Sequence, residues 1–254
     1  MRLILISLSL LLAVPNFIHT TLEEKPVYDQ KEKFDSSLSA IDNVDTLIAV
    51  ADFTAARKGI AQGSLQYAIT VATLLRNRFY HGFSVYPMNE NWIATTAQHV
   101  LGYGLASIVK PDDILKYTYG GCSQQTIVLM EVMKRKNISY RSVGFPHHYA
   151  SEVNIGGNWF FFDPNMEPKI KDSERIETSW NRSVDSLKKY YDTSRFKDLD
   201  WKFGKNKEVI LGKVNAEPAP KALLFQNVSQ VLSKTLWLFP LLFAFNNRKE
   251  KKQK

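Results

Sequence analysis

Tyr119-Gly120-Gly121-Cys122-Ser123-Gln124-Gln125-Thr126-Ile127-Val128-Leu129-Met130-Glu131-Val132-Met133 contains the only cysteine of the chain, and the rest of the sequence is read outward from it. Gly120-Gly121 break the preceding segment. A run that is apolar on most sides follows, and a helix of that kind is a central, buried one. It turns polar at Lys134-Arg135-Lys136, where cations suit the negative end of the helix dipole. The cysteine sits at the opposite end. A thiolate is the nucleophilic form of cysteine, and a helix N-terminus favours negative charge. The N–H groups there can also hold an oxyanion. Glycines let backbone approach without a side chain intervening. A lone cysteine is equally often a small buried hydrophobe, so the assignment turns on what surrounds Cys122.

Beyond the helix the period changes. Ile138, Tyr140 and Val143 begin a strand-like segment, His148 to Ile155 forms a second, and Asn158 to Asp163 a third. Gly156-Gly157 between the last two is a hairpin turn, and Pro164 ends the pairing because it has no N–H to donate. Residues equidistant from a tight turn face each other, which brings Asp163 close to opposite His148. A carboxylate there can accept the imidazole N–H and fix its tautomer. Cys122, His148 and Asp163 then form a nucleophile, a base and a group that orients the base. Strand alternation sends the neighbouring His147 to the other face.

Three stretches resemble the transglutaminase-like superfamily of cysteine acyltransferases and proteases. Tyr119-Gly120-Gly121-Cys122-Ser123 is similar to its Gly-x-Cys motif. His148-Tyr149-Ala150-Ser151-Glu152-Val153 is similar to its histidine strand, usually His-Ala-Trp-x-Glu-Val. Gly157-Asn158-Trp159-Phe160-Phe161-Phe162-Asp163-Pro164 is similar to its closing Gly-x-Trp…Asp-Pro strand. Order and spacing agree over residues 110–168. The resemblance implies an α+β fold with a papain-like core: a helical N-terminal half and a central cysteine helix packed on a small antiparallel sheet. It also implies Cys122 as nucleophile, His148 as base and Asp163 as orienter. Ala150 stands where the family usually has an aromatic residue. The family's oxyanion side chain, an upstream Trp or Gln, has three candidates here, Gln98, Gln124 and Gln125.

Upstream, Leu47 to Ala56, Ser64 to Tyr80 and Asn91 to Leu105 read as helices, with a shorter one at Ile114 to Tyr117. Downstream come a charged helix, Arg175 to Tyr191, a strand near Val209 to Val214, and a stiff linker, Ala216-Glu217-Pro218-Ala219-Pro220. The transglutaminase-like domain is therefore expected over residues 38–215.

Both ends of the chain point to a membrane. Arg2 and an apolar run from Leu3 to Val14 have the form of a secretory signal. No small-x-small cleavage site follows, so residues 1–22 read as a signal peptide or an uncleaved anchor. Residues 221–246 form a hydrophobic segment, expected to be transmembrane. Its strongest part, Leu236 to Phe245, is ten residues long, half of the ~20 that a helical span needs. Residues 247–254 read as a basic cytoplasmic tail, since basic clusters mark that side. The alternative for the C-terminal segment is an amphipathic helix lying on the membrane or on the domain.

The net charge of +8 is uneven: the last seven residues carry five basic groups and one acid, leaving +4 for the other 247. That disfavours nucleic-acid binding, which needs a basic face on the folded domain. One cysteine excludes a disulfide framework and a Cys-rich zinc site, five scattered histidines show no metal cluster, and no cofactor is implied. The expected protein is a membrane-tethered thiol enzyme lying outside the cytoplasm and acting on amide bonds of peptides or proteins by hydrolysis or acyl transfer. The alternative is a non-catalytic binding or scaffold module, with Tyr149, Trp159, Phe160, Phe161 and Phe162 lining a groove.

Overall fold

The computed structural model describes residues 1–30, 32–102, 104–166, 183–193, 196 and 198–246. It is a mixed α+β protein with a four-stranded antiparallel sheet. The chain divides into two compact units. One contains Pro26–Ser84 and Val109–Pro218; the other contains Met1–Lys25, Val85–Ile108 and the C-terminal stretch from Ala219.

In the unit that carries Cys122, three helices pack together: α2 (Val44–Arg57), α3 (Leu65–Arg78) and α6 (Cys122–Arg135). Asn43 and Ser64 cap α2 and α3 by accepting the N–H groups of Thr46 and Tyr67, the side-chain chemistry that defines a helix start. Leu47, Ala51, Ala68, Val71, Leu75, Val128, Leu129 and Val132 are fully buried among them. Helix α6 is buried on most sides, as its composition predicts. Helix α5 (Pro111–Ile114) starts one turn earlier than the sequence suggests. Pro111 takes the first helical position, where its missing N–H has no intrahelical role. Buried Arg78 ties neighbouring segments together by donating to the carbonyls of Ser39, Ile41 and Leu115.

The sheet has the order β3-β2-β1-β4, with β1 (Tyr140–Phe145), β2 (His148–Ile155), β3 (Asn158–Phe162) and β4 (Ile210–Leu211). Ile155 faces Asn158 and Ser151 faces Phe162, the register that a turn centred between Gly156 and Gly157 demands. Both glycines have positive φ, 60° and 86°, the combination of a type I′ hairpin turn. Helix α6 lies against β1 and β2. A second apolar cluster joins Val143, Phe145, Ala150 and Phe161 to Val184 and Leu187 of α7 (Val184–Lys188), to Tyr191, and to Leu199 and Phe203 of α8 (Leu199–Phe203). Of the expected helix Arg175 to Tyr191 only Val184–Lys188 is helical, as α7, and the chain turns at residues 189–191; residues 175–182 lie outside the described residues, as does the basic tail from 247.

The other unit pairs α4 (Met88–Leu101) with α9 (Pro220–Thr235), and α1 (Arg2–Ala13) with α10 (Leu238–Asn246). Residues 85–108, read from sequence as part of the central domain, belong here. Contacts of Asn91 and Trp92 with α9 account for this. Asn91 Nδ2 donates to Ser229 Oγ at 2.9 Å, Trp92 Nε1 donates to the Ser233 carbonyl at 2.9 Å, and Ser233 Oγ donates to Asn91 Oδ1 at 3.2 Å. Gln226 Nε2 donates to the Ser107 carbonyl at 2.6 Å. Gln226, Ser229 and Ser233 are therefore the buried side of α9, whereas Asn227 and Lys234 are exposed. Among the described residues no single helix is long and apolar enough to cross a membrane; α9 and α10 reach that composition only as a pair bent by 45°.

Candidate active site

Cys122 is the first residue of α6, directly after Gly121. Gly121 has an ordinary φ of −73°, so its role is steric. A Cβ there would fall 2.4 Å from Phe83 Cε1, closer than any side chain tolerates. Gln124 fastens the neighbouring loop to the helix. Its Oε1 accepts the N–H groups of Ser84 at 2.9 Å and Gly121 at 3.1 Å, and its Nε2 donates to the Ser84 carbonyl at 2.8 Å. Gln125 Nε2 donates to the Gly120 carbonyl at 2.8 Å. Both glutamines are buried and act as braces, which gives neither an outward amide for an oxyanion. Gln98 belongs to the other compact unit. The first N–H groups of α6 have no acceptor within the helix and are available to an anion.

His148 opens β2 and Asp163 follows the end of β3. Both are almost fully buried. His148 Nε2 lies 2.6 Å from Asp163 Oδ2. The same oxygen accepts the hydroxyl of Tyr191 at 2.8 Å, and Oδ1 accepts the Met166 N–H at 3.1 Å. Two of these three donors, a backbone N–H and a tyrosine hydroxyl, bring no charge of their own, so the arrangement suits a carboxylate. Burial alone would raise the Asp163 pKa; the charge and hydrogen bond of His148, with Met166 and Tyr191, hold it below the usual carboxylate value.

The proton on Nε2 is thereby fixed, and Nδ1 is the ring nitrogen left for other chemistry. Cys122 is close enough to His148 to favour the charged form of its imidazole. Burial opposes the charged imidazole, but the charge and hydrogen bond of Asp163, reinforced by Cys122, raise the His148 pKa to about 9. Phe203 packs edge-on against the imidazole at 5.2 Å and Phe145 stacks on it at 6.2 Å, so the ring is held on its faces as well as by its nitrogens.

Comparison with family models, with curated proteins and with solved structures returns no match for this chain. The functional reading therefore rests on the site alone.

His147 points elsewhere. Its ring stacks on Trp201 at 3.9 Å and 4°. It lines an open cavity of about 810 Å³ with Pro146, Lys188 and Lys205, to which Cys122, His148 and Asp163 do not contribute. The aromatic run after Gly157 is divided between core and surface, with Trp159 and Phe160 half-buried. Phe161 and Phe162 are fully buried, and Trp159 lies under the Arg141 guanidinium at 4.1 Å. Alternation explains this: the sheet is covered on both faces, so neighbouring phenylalanines both become core. Two contributors have no signal in the sequence. Tyr191 reaches Asp163 from 28 positions downstream. Asn165 Nδ2 donates to His81 Nδ1 at 3.2 Å, linking the Asp163-Pro164 corner to the loop that Gln124 fastens. Among the described residues no cluster of His, Cys, Asp or Glu could hold a metal ion.

Proposed function

We propose that this chain is a transglutaminase-like thiol enzyme with a papain-like core, membrane-tethered and facing outside the cytoplasm, that acts on amide bonds of peptide or protein substrates. The observation that carries the reading is the saturated Asp163 carboxylate. His148 donates to it from Nε2, alongside the Met166 and Tyr191 donors, which leaves Nδ1 as the ring nitrogen available to the thiol of Cys122.

In the first half-reaction Sγ attacks the amide carbonyl carbon and the C–N bond breaks. The proton held at His148 Nδ1 goes to the departing amine, leaving a thioester on Cys122. The developing oxyanion is met by the N–H groups that begin α6. In the second, an incoming nucleophile gives its proton to Nδ1 and displaces the thiol. Water yields hydrolysis; a lysine amine yields acyl transfer. Neither step calls on a cofactor.

Iodoacetamide tests the assignment. Cys122 should alkylate at least about tenfold faster than a free cysteine at pH 7, with the excess abolished in His148→Ala. A Cys122 that reacts no faster than free cysteine in the folded protein would overturn it.

A further inference from the structure

Helices α1 and α10 are packed inside out. The residue that α1 buries is Ser9, 3% exposed, and the residue that α10 buries is Ala244, 1% exposed. Their large apolar side chains face outward: Leu3 is 79% exposed, Leu11 67%, Leu242 66% and Phe243 62%. A helix pair in water buries leucine and phenylalanine and exposes serine. Small residues at the contact with bulky ones outside is the pattern of helices packed in lipid, where close backbone approach replaces the hydrophobic drive.

The backbone polar groups agree. The break between α9 and α10 frees carbonyls that water would otherwise satisfy, and three of them have side-chain donors. Ser9 Oγ donates to the Trp237 carbonyl at 2.5 Å, Asn16 Nδ2 to that of Ser233 at 3.0 Å, and Trp237 Nε1 to that of Lys234 at 2.8 Å. Hydrocarbon imposes this requirement because it offers no hydrogen bonds. Two of the three donors come from the N-terminal segment.

The two helices run antiparallel, since Ser9 meets Trp237 at one end while the Arg2 guanidinium lies 5.3 Å from the Phe245 ring at the other. No charged residue occurs from Leu3 to Ile18 or from Thr235 to Asn247. Arg2 gives the far end of the pair a charge that anionic lipid headgroups attract.

We infer that residues 2–18 are retained in the mature protein and form, with α10, one antiparallel helical pair embedded in the lipid bilayer. The inference rests on the membrane attachment proposed above and is independent of the thiol chemistry. The pair has one buried seam, residues 14–17 rest on α4, and the occupant of the outward apolar faces is acyl chain.

The experiment uses the full chain from its own membranes: alkaline carbonate extraction followed by N-terminal sequencing and intact mass. A carbonate-resistant protein that begins at Met1 or Arg2 is the expected result. A carbonate-resistant protein that begins after Ile18 overturns the pairing and leaves the membrane attachment standing. Release by carbonate, whatever the N-terminus, overturns both, and a discrete detergent-free oligomer would then assign the apolar faces to a second copy. Ser9→Leu, which overfills the seam and removes the donor to Trp237, should lower the melting temperature in detergent by about 5 °C; Ser7→Leu, on the exposed side of α1, should leave it unchanged. Equal effects of the two variants would refute the seam.

Discussion

Replacing Asp163 by asparagine probes the site with almost no change of shape. Asp163 accepts three hydrogen bonds, from His148 Nε2, Tyr191 Oη and Met166 N. Asparagine supplies one acceptor oxygen and one amide nitrogen. If the oxygen stays with Met166, the amide N–H groups meet Tyr191 and His148. His148 must then become an acceptor at Nε2, which moves its proton to Nδ1 and blocks that nitrogen as a base. The charge that offsets burial of the imidazole is lost as well. Raising an imidazole from 6.5 to about 9 corresponds to roughly 3 kcal/mol of preference for the charged form, at about 1.4 kcal/mol per pKa unit. Losing most of it should slow alkylation of Cys122 by about 10²-fold at pH 7. The assay is the second-order rate with iodoacetamide from pH 5 to 9, with circular dichroism to verify folding. A folded Asp163→Asn protein that keeps the wild-type rate would refute both the tautomer argument and the role of the pair.

Thermal stability should depend on the same pair. His148 is raised in the folded state, so its contribution is complete below pH 6.5 and disappears as pH rises through about 9. Asp163 is lowered, so its contribution is present above the ordinary carboxylate pKa and disappears in acid. The melting temperature should therefore fall from pH 6.5 to 9, and His148→Gln should flatten that slope. Tyr191→Phe removes one donor to a buried charge and should destabilise by about 1.5–3 kcal/mol in denaturant titrations, while slowing alkylation less than Asp163→Asn does. Gly121→Ala sets a Cβ against Phe83 and should destabilise by about 1–3 kcal/mol; Phe83→Ala in the same chain should recover most of that loss, as a double-mutant cycle would read. His147→Ala should leave the alkylation rate within about twofold of wild type, because that ring stacks on Trp201 away from Cys122.

The parts legible in the sequence are those that local rules dictate. The start of α6 follows from two glycines before an apolar run. The β2–β3 register follows from a two-residue turn, which leaves side-chain facing no freedom. That register sets Asp163 opposite position 150, diagonally two residues from His148 and within reach of its side chain. Tyr191 was not legible, because nothing local marks one tyrosine in a charged segment as the partner of a distant carboxylate. The division of the chain was also hidden. Asn91 and Trp92 select Ser229 and Ser233 by hydrogen bonds across about 140 positions, and such polar matching carries no periodic signature. Ser229 and Ser233, polar residues in a segment expected to be transmembrane, lie on the inner face of α9.

Gln124 has a consequence for how this site can drift over generations. It grips Ser84 only by main-chain atoms, so it constrains the path of that loop and not the identity of its residue. Ser84 is fully buried, and its own hydroxyl has no hydrogen-bond partner among the described residues; alanine would serve there as well or better. Position 124 has no such latitude. Glutamate keeps the two acceptor contacts but has no proton for the Ser84 carbonyl, and shorter asparagine cannot reach. Variation is thus free on one side of the clasp and barred on the other, and the whole restriction falls on a single amide two residues after the cysteine.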